Sequence, residues 1–234
     1  MTYLMTDEYL PLLEHLHCSV LKSNPELDFI VMVTKSVSST AAARIQQRRI
    51  QMIEVEDIQF PNVYEYRFRY NWLKIRAFEL PYDAVLLVDS DVVILEDVSA
   101  LFSIPTRFAA VDDQVNRFQE SKYPRSVRIL QGGVLFLRPC PAVSRHMQIL
   151  LAEHPRLQFS TSNAEQEFFS WYFRHEAMVL PRRYNALPSS LDALVKPAIV
   201  HYTSRKPFKT FWHPTGPEQY LCTESEVAAG REVR

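Results

Sequence analysis

Glycine is scarce in this chain: 234 residues contain only four. Neither a P-loop nor a G-x-G-x-x-G turn is present. The two common glycine-rich phosphate cradles are therefore excluded, and a nucleotide must be held by another route. Cysteine is scarce as well. Cys18, Cys140 and Cys222 are odd in number, widely spaced and without a C-x-x-C pair, which excludes a zinc or dithiol motif and predicts reduced thiols. No apolar run approaches the length of a bilayer span, and the N-terminus lacks a charged-then-apolar leader pattern, so a cytoplasmic chain without a transmembrane segment is expected. An excess of one charge is also missing. The formal net charge is −1 and basic residues form no long run, so no nucleic-acid or polybasic membrane partner is expected.

What is present is a chain able to bury a core, with 47% hydrophobic residues. Short apolar runs alternate with amphipathic stretches, which predicts an α/β layer architecture in one domain. Strands are expected over Thr2–Met5, Phe29–Val33, Gln51–Val55, Ala84–Val88, Phe108–Val111, Val134–Leu137 and Pro197–His201. Helices are expected over Tyr9–Leu21, Ala41–Arg49, Asn71–Leu80 and Pro141–Glu153, and from Ser162, where Ser162-Asn163-Ala164-Glu165 has capping-box spacing. After Phe208 the periodicity fades, and the last ten residues read as a frayed polar tail.

The chemistry-bearing feature is Val85-Leu86-Leu87-Val88-Asp89-Ser90-Asp91-Val92-Val93-Ile94-Leu95. Residues i and i+2 of an extended segment share a side, so Asp89 and Asp91 are expected about 6–7 Å apart. At an effective dielectric near 20 they repel by roughly 2–3 kcal/mol. Four apolar residues on either side make a poor solvated loop, and a bound cation is the natural compensation. Gln131-Gly132-Gly133 precedes the apolar run Val134–Leu137, and adjacent glycines permit close backbone approach of a ligand or form a simple bulge. His201 ends another apolar run and is followed by Arg205-Lys206, a metal ligand beside phosphate counter-charges or a structural histidine.

Together these segments resemble glycosyltransferase family 8, the retaining glycogenin-like and galactosyltransferase-like enzymes of the GT-A fold. Thr6-Asp7-Glu8-Tyr9 is similar to the family's uridine-holding segment, and Leu73-Lys74 through Leu80 to its Lys-bearing helix. Asp89-Ser90-Asp91 stands at its metal-binding Asp-x-Asp. Asp112 follows a strand at the place of a donor-sugar acid. Gln131-Gly132-Gly133-Val134, Glu165-Gln166 and His201 through Phe208 follow in the family's order. Gln131 replaces the usual Asn, Glu165 the usual Asp, and Ser204 stands near the signature's glycine. The His-to-Lys interval is one residue short, which brings Arg205 into consideration.

The resemblance implies a Rossmann-like three-layer α/β/α single domain of GT-A type, with a mostly parallel central sheet. It would span residues 1–208, with 209–234 as a C-terminal extension. It implies transfer of a hexose or related sugar from a UDP-sugar to a glycan, protein or small-molecule acceptor. Asp89, Asp91 and His201 would ligate Mn²⁺, with Mg²⁺ the other candidate. Thr6, Tyr9, Lys74, Ser90, Gln131, Gly132, Gly133, Arg205 and Lys206 would bind the donor, with Glu165, Gln166 and Asp112 at the reacting sugar. Two other readings of the Asp pair stay open: an aspartyl-phosphate-type phosphohydrolase using Asp89 and Asp91, and a non-catalytic nucleotide-sugar-binding module. The sugar, the acceptor and the oligomeric state are not written in these motifs.

Overall fold

Three short apolar runs near the N-terminus become parallel strands: β1 (Thr2–Leu4), β2 (Ile30–Val33) and β3 (Gln51–Glu54), paired in that order. Thr2 lies opposite Val31, and Ile30 opposite Gln51. Every residue of β2 is buried, as expected of a strand covered on both faces. Parallel neighbours need a crossover, and two helices supply it. Helix α1 (Leu10–Ser23) carries Pro11 at its start, and α2 (Ser39–Gln47) is capped by Ser38, whose Oγ accepts the Ala41 N–H at 3.1 Å. Leu4, Leu10, Leu13, Val31, Val33, Ala41, Ile45 and Ile50 form the core between them.

The computed structural model describes residues 1–4, 6–58, 66–113, 128–153, 164–188, 196–203 and 222–229. The chain divides into two compact units, one of Met1–Glu56, Val88–Ser103 and Arg182–Arg234, the other of Asp57–Leu87 and Ile104–Pro181. The expected boundary at residue 208 falls outside the described residues.

The first unit also holds β5 (Val92–Ile94) and β9 (Ile199–His201), which pair antiparallel with Val92 opposite His201. Helix α1 pins the β5 segment. Ser19 Oγ accepts the Ile94 N–H at 3.0 Å, and Asn24 Oδ1 accepts the Val98 N–H at 2.8 Å. Where a polar tail was expected, Glu224–Ala229 form a short helix, α5. Arg48 donates to the Val227 carbonyl at 2.7 Å, and Lys22 pairs with Glu226. The thiol expectation is corrected here too: Cys18 on α1 and Cys222 are joined in a disulfide, while Cys140 is free. A sequence separation of 204 hides that pair from any spacing rule. Among the described residues, no helix is long and apolar enough to cross a membrane.

The second unit is built on a four-stranded sheet of order β4-β7-β6-β8. Its strands are β4 (Val85–Val88), β6 (Phe108–Asp112), β7 (Leu130–Leu137) and β8 (Met178–Leu180). Strand β6 runs antiparallel to β7 and parallel to β8. Helices α3 (Pro141–Glu153) and α4 (Ala164–Tyr172) belong to this unit. The helix expected over Asn71–Leu80 is a 3₁₀ helix over Tyr66–Glu79. Its three-residue period puts Trp72, Ile75 and Phe78 on one line, and all three are buried. Trp72 meets Phe168 edge-on, and Phe78 stacks on Phe173, which stacks in turn on Phe108. Aromatic packing of this kind fixes α4 against the 3₁₀ helix.

Candidate functional site

Val88, where β4 ends and the first unit resumes, is fastened to β1 within that unit: Val88 N–H donates to the Met1 carbonyl at 3.0 Å and Thr2 Oγ1 to the Val88 carbonyl at 2.7 Å. The chain then turns through Ser90 and Asp91 before β5. Asp89 and Asp91 therefore do not share one extended strand, which corrects the expectation of a continuous extended segment through the pair. The antiparallel pairing of β5 with β9 adds the third group. Tyr202 N–H donates to the Asp91 carbonyl at 2.9 Å, and His201 Nε2 lies 3.4 Å from Asp91 Oδ1 and 3.7 Å from Asp89 Oδ2. One ligand atom from each of Asp89, Asp91 and His201 lies within 4.8 Å of the others. Asp91 and His201 are buried and Asp89 is half-buried.

These donors fit a divalent cation. Ligand atoms about 2.0–2.2 Å from a shared ion are separated by about 3–4 Å at neighbouring positions, and the observed 3.4 and 3.7 Å fall within that range. Two carboxylates with an imidazole form a mixed oxygen and nitrogen set suited to a transition ion. A second layer orients the ligands. Tyr3 on β1 donates its hydroxyl proton to Asp89 Oδ1 at 2.9 Å, and Asn185 Oδ1 lies 3.0 Å from His201 Nδ1. Neither Tyr3 nor Asn185 stands in a recognisable motif. Only the fold brings them to the site.

The second unit assembles a different group. Lys74, buried on the 3₁₀ helix, donates to Glu165 Oε1 at 3.1 Å and to the Gly132 carbonyl at 3.0 Å. Gly132 N–H donates to Gln166 Oε1 at 2.9 Å, and Gln166 Nε2 donates to Asp113 Oδ2 at 2.6 Å. The carboxamide of Gln166 is thus gripped at both ends. Gln131, Gly132 and Gly133 lie inside β7, not ahead of it. The close approach that Gly132 permits is that of a side chain: a Cβ there would stand 3.0 Å from Glu165 Oε1. Glu165, considered as a capping partner of Ser162, is bonded to Lys74; Ser162 lies outside the described residues.

Asp112 ends β6 beside a register shift, and its neighbour Asp113, buried, is the acid that holds Gln166. The Asp112-Asp113 repeat after an apolar run was the available signal for it. Gln131 Oε1 is buried and has no hydrogen-bond partner among the described residues. Thr6 precedes the 3₁₀ turn Asp7–Tyr9, and Tyr9 packs against the core of the first unit. Ser90 is buried in the turn between the two aspartates. Arg205 and Lys206 lie outside the described residues.

The fold is that of the GT-A class of glycosyltransferases. The galactosyltransferase LgtC, solved in complex with donor and acceptor sugar analogues, aligns with a TM-score of 0.73 at 17% identity, covering 100% of this chain and 97% of that one. Mouse xyloside xylosyltransferase 1 aligns with a TM-score of 0.56 at 11% identity, covering 89% of this chain and 100% of that one. At such identities the likeness is one of fold. Sequence carries the assignment further: the glycosyl transferase family 8 model matches residues 1–215, and the chain belongs to that family.

Galactinol synthase 1 of Solanum lycopersicum is 27% identical over 174 residues, 66% of this chain and 52% of that protein. UDP-glucuronate:xylan alpha-glucuronosyltransferase 1 of Arabidopsis thaliana is 23% identical over 175 residues, 72% of this chain and 23% of that protein. The chain thus spans about half the length of the first relative and about a quarter of the second. Family membership sets aside the phosphohydrolase reading of Asp89.

Proposed function

We propose that the chain is a metal-dependent, retaining glycosyltransferase that moves a hexose or related sugar from a UDP-sugar to a glycan, protein or small-molecule acceptor. The observation that carries this reading is the convergence of Asp89, Asp91 and His201, one ligand atom of each lying within 4.8 Å of the others. Mn²⁺ is the ion the donor set favours, with Mg²⁺ as the alternative. When bound, it supplies Lewis-acid neutralisation of the diphosphate as the glycosidic bond breaks. The protein's part in that step is to fix the ligands: Tyr3 holds Asp89, β9 holds His201 against β5, and the turn at Ser90 brings Asp91 round. Arg205 and Lys206 would add positive charge at the leaving phosphate, and Thr6 and Tyr9 would hold the uridine.

The sugar falls to the second group. Gln166, fixed by Gly132 and Asp113, presents a carboxamide that positions hydroxyls well and is a poor nucleophile. Glu165 has its charge committed to Lys74, which weakens it as a nucleophile too. Double displacement needs a carboxylate placed to attack the sugar. The chemistry of this pair therefore supports a same-face reaction, in which the leaving phosphate accepts the acceptor's proton. Gln131 Oε1 and Asp112 would take further donor hydroxyls.

The test is UDP release from a panel of UDP-sugars with Mn²⁺ and an acceptor screen. Release that disappears in Asp91→Ala supports the reading. Tight UDP-sugar binding by the wild type without turnover on any acceptor would favour a non-catalytic nucleotide-sugar-binding module.

A further inference from the structure

The geometry points to Asn185 as the positioning residue that sets the tautomer of His201 and so makes its Nε2 a metal ligand. This rests on the metal reading of Asp89, Asp91 and His201. Asn185 ends a 3₁₀ turn over Arg182–Asn185 and is 3% exposed. The chain on either side of it is tied to β9 and the residue before it: Ala198 N–H donates to the Arg183 carbonyl at 2.8 Å, and Ala186 N–H to the Ile199 carbonyl at 2.9 Å. His201 N–H closes the arrangement by donating to the Ala186 carbonyl at 2.9 Å. The side chain of Asn185 thus has a fixed origin next to His201, and its Oδ1 stands 3.0 Å from Nδ1.

A neutral imidazole carries one proton, and the hydrogen bond made by one nitrogen decides the state of the other. Facing an amide oxygen, Nδ1 must donate. The proton is then on Nδ1, and the lone pair on Nε2 points at the two carboxylates 3.4 and 3.7 Å away. That is the form a cation requires. The opposite amide orientation would offer Nδ1 an N–H, leave the proton on Nε2 and block ligation. Asn185 Nδ2 is buried and has no hydrogen-bond partner among the described residues, so no bond of its own holds the amide against a flip. The orientation of this one carboxamide is therefore coupled to whether His201 accepts a metal. Outer-shell partners of this kind typically change metal affinity 10- to 100-fold when removed.

The test uses the whole chain and Mn²⁺ alone, titrated with free ion read by electron paramagnetic resonance. Asn185→Leu keeps the bulk and removes the acceptor, and affinity should fall about 10- to 100-fold. Asn185→Asp keeps an acceptor and cannot donate, and should bind at least as tightly as the wild type. Long-range proton–nitrogen spectra of the metal-free protein supply a readout that a merely structural role would not move. His201 should be protonated on Nδ1 in the wild type and in Asn185→Asp, and on Nε2 in Asn185→Leu. Wild-type affinity in Asn185→Leu, or loss in Asn185→Asp equal to that in Asn185→Leu, overturns the inference. If Asn185→Leu does not fold, the wild-type tautomer decides alone, since a neutral His201 ring there with its one proton on Nε2 overturns it. His201→Ala separates the two levels: unchanged Mn²⁺ binding in that variant sinks the metal reading itself.

Discussion

Among the described residues, two of the polar groups are built on opposite principles. In the first unit, two carboxylates and an imidazole converge within 4.8 Å. In the second, Lys74 meets Glu165, and Gln166 is held between a backbone N–H and Asp113. One group concentrates like charge. The other closes on itself. Clustered like charge is tolerated where a cation is to be bound, whereas a closed buried network holds a side chain in one pose. On the reading proposed above, the first would be where binding energy enters and the second a frame for orientation. Substitutions should act on them with opposite signs in stability.

The largest expected effect breaks the frame. Lys74→Met leaves Glu165 as a buried carboxylate without its cation, which costs about 3–5 kcal/mol. Urea unfolding measures it, and Lys74→Met with Glu165→Met should recover most of the loss. Asp91→Asn does the reverse. Turnover should fall about 10²–10³-fold, because several kcal/mol of charge neutralisation are lost. The metal-free protein should nevertheless gain about 1–2 kcal/mol, from relief of repulsion with Asp89. A metal-free Asp91→Asn that unfolds as early as Lys74→Met would remove the distinction between the groups.

Acid should find the first unit before the second. His17 on α1 is buried against Phe29, and its Nδ1 has no hydrogen-bond partner among the described residues. Burial first, and the Arg48 guanidinium second, lower its pKa to about 4. The folded state thus binds fewer protons than the unfolded chain, whose histidine titrates near 6.5. This contribution is complete above about pH 6.5 and is lost as the pH falls toward 4. The loss reaches about 3 kcal/mol at the lower end. His15, lowered in the same direction by burial, adds to it. Hydrogen exchange at mildly acidic pH should show α1 and β2 opening ahead of β6 and β7, and His17→Leu should narrow that gap, with the remainder left to His15.

Much of this was legible in the chain because it is written locally. Apolar runs marked β2, β4, β6 and the second half of β7, and Asp89, Asp91 and His201 each sit at the end of such a run. What escaped is what only tertiary placement decides. Tyr3 and Asn185 are ordinary residues until β1 and β9 bring them to Asp89 and His201. Strand β8 was missed because Met178 and Val179 are both partly exposed and show no alternation. The disulfide was missed because its halves lie at opposite ends of the chain. The turn at Ser90 hid behind a run that is apolar on either side, so two strands read as one.

The smallest expected effect sharpens the comparison most, because it perturbs the frame without uncharging it. Gly132 does not have a positive φ, so alanine is conformationally acceptable there and recovers about 0.5–1 kcal/mol of chain entropy. Against that, its Cβ would stand 3.0 Å from Glu165 Oε1 and 3.4 Å from Lys74 Nζ. Both atoms are already committed to each other at 3.1 Å, so they must shift together, and overpacking of this kind costs about 1–3 kcal/mol. The net for Gly132→Ala is a loss of about 1 kcal/mol. Its kinetic signature follows from which group it touches. The displaced Gly132 N–H moves Gln166, so kcat should fall severalfold while the KM for UDP-sugar and the affinity for Mn²⁺ stay near wild type. Adding Glu165→Asp retracts the oxygen that the new methyl meets, and the double variant should lose less stability than the two singles combined. Strict additivity, or a fall in Mn²⁺ affinity with kcat intact, would mean that orientation and charge are not divided between the two groups in this way.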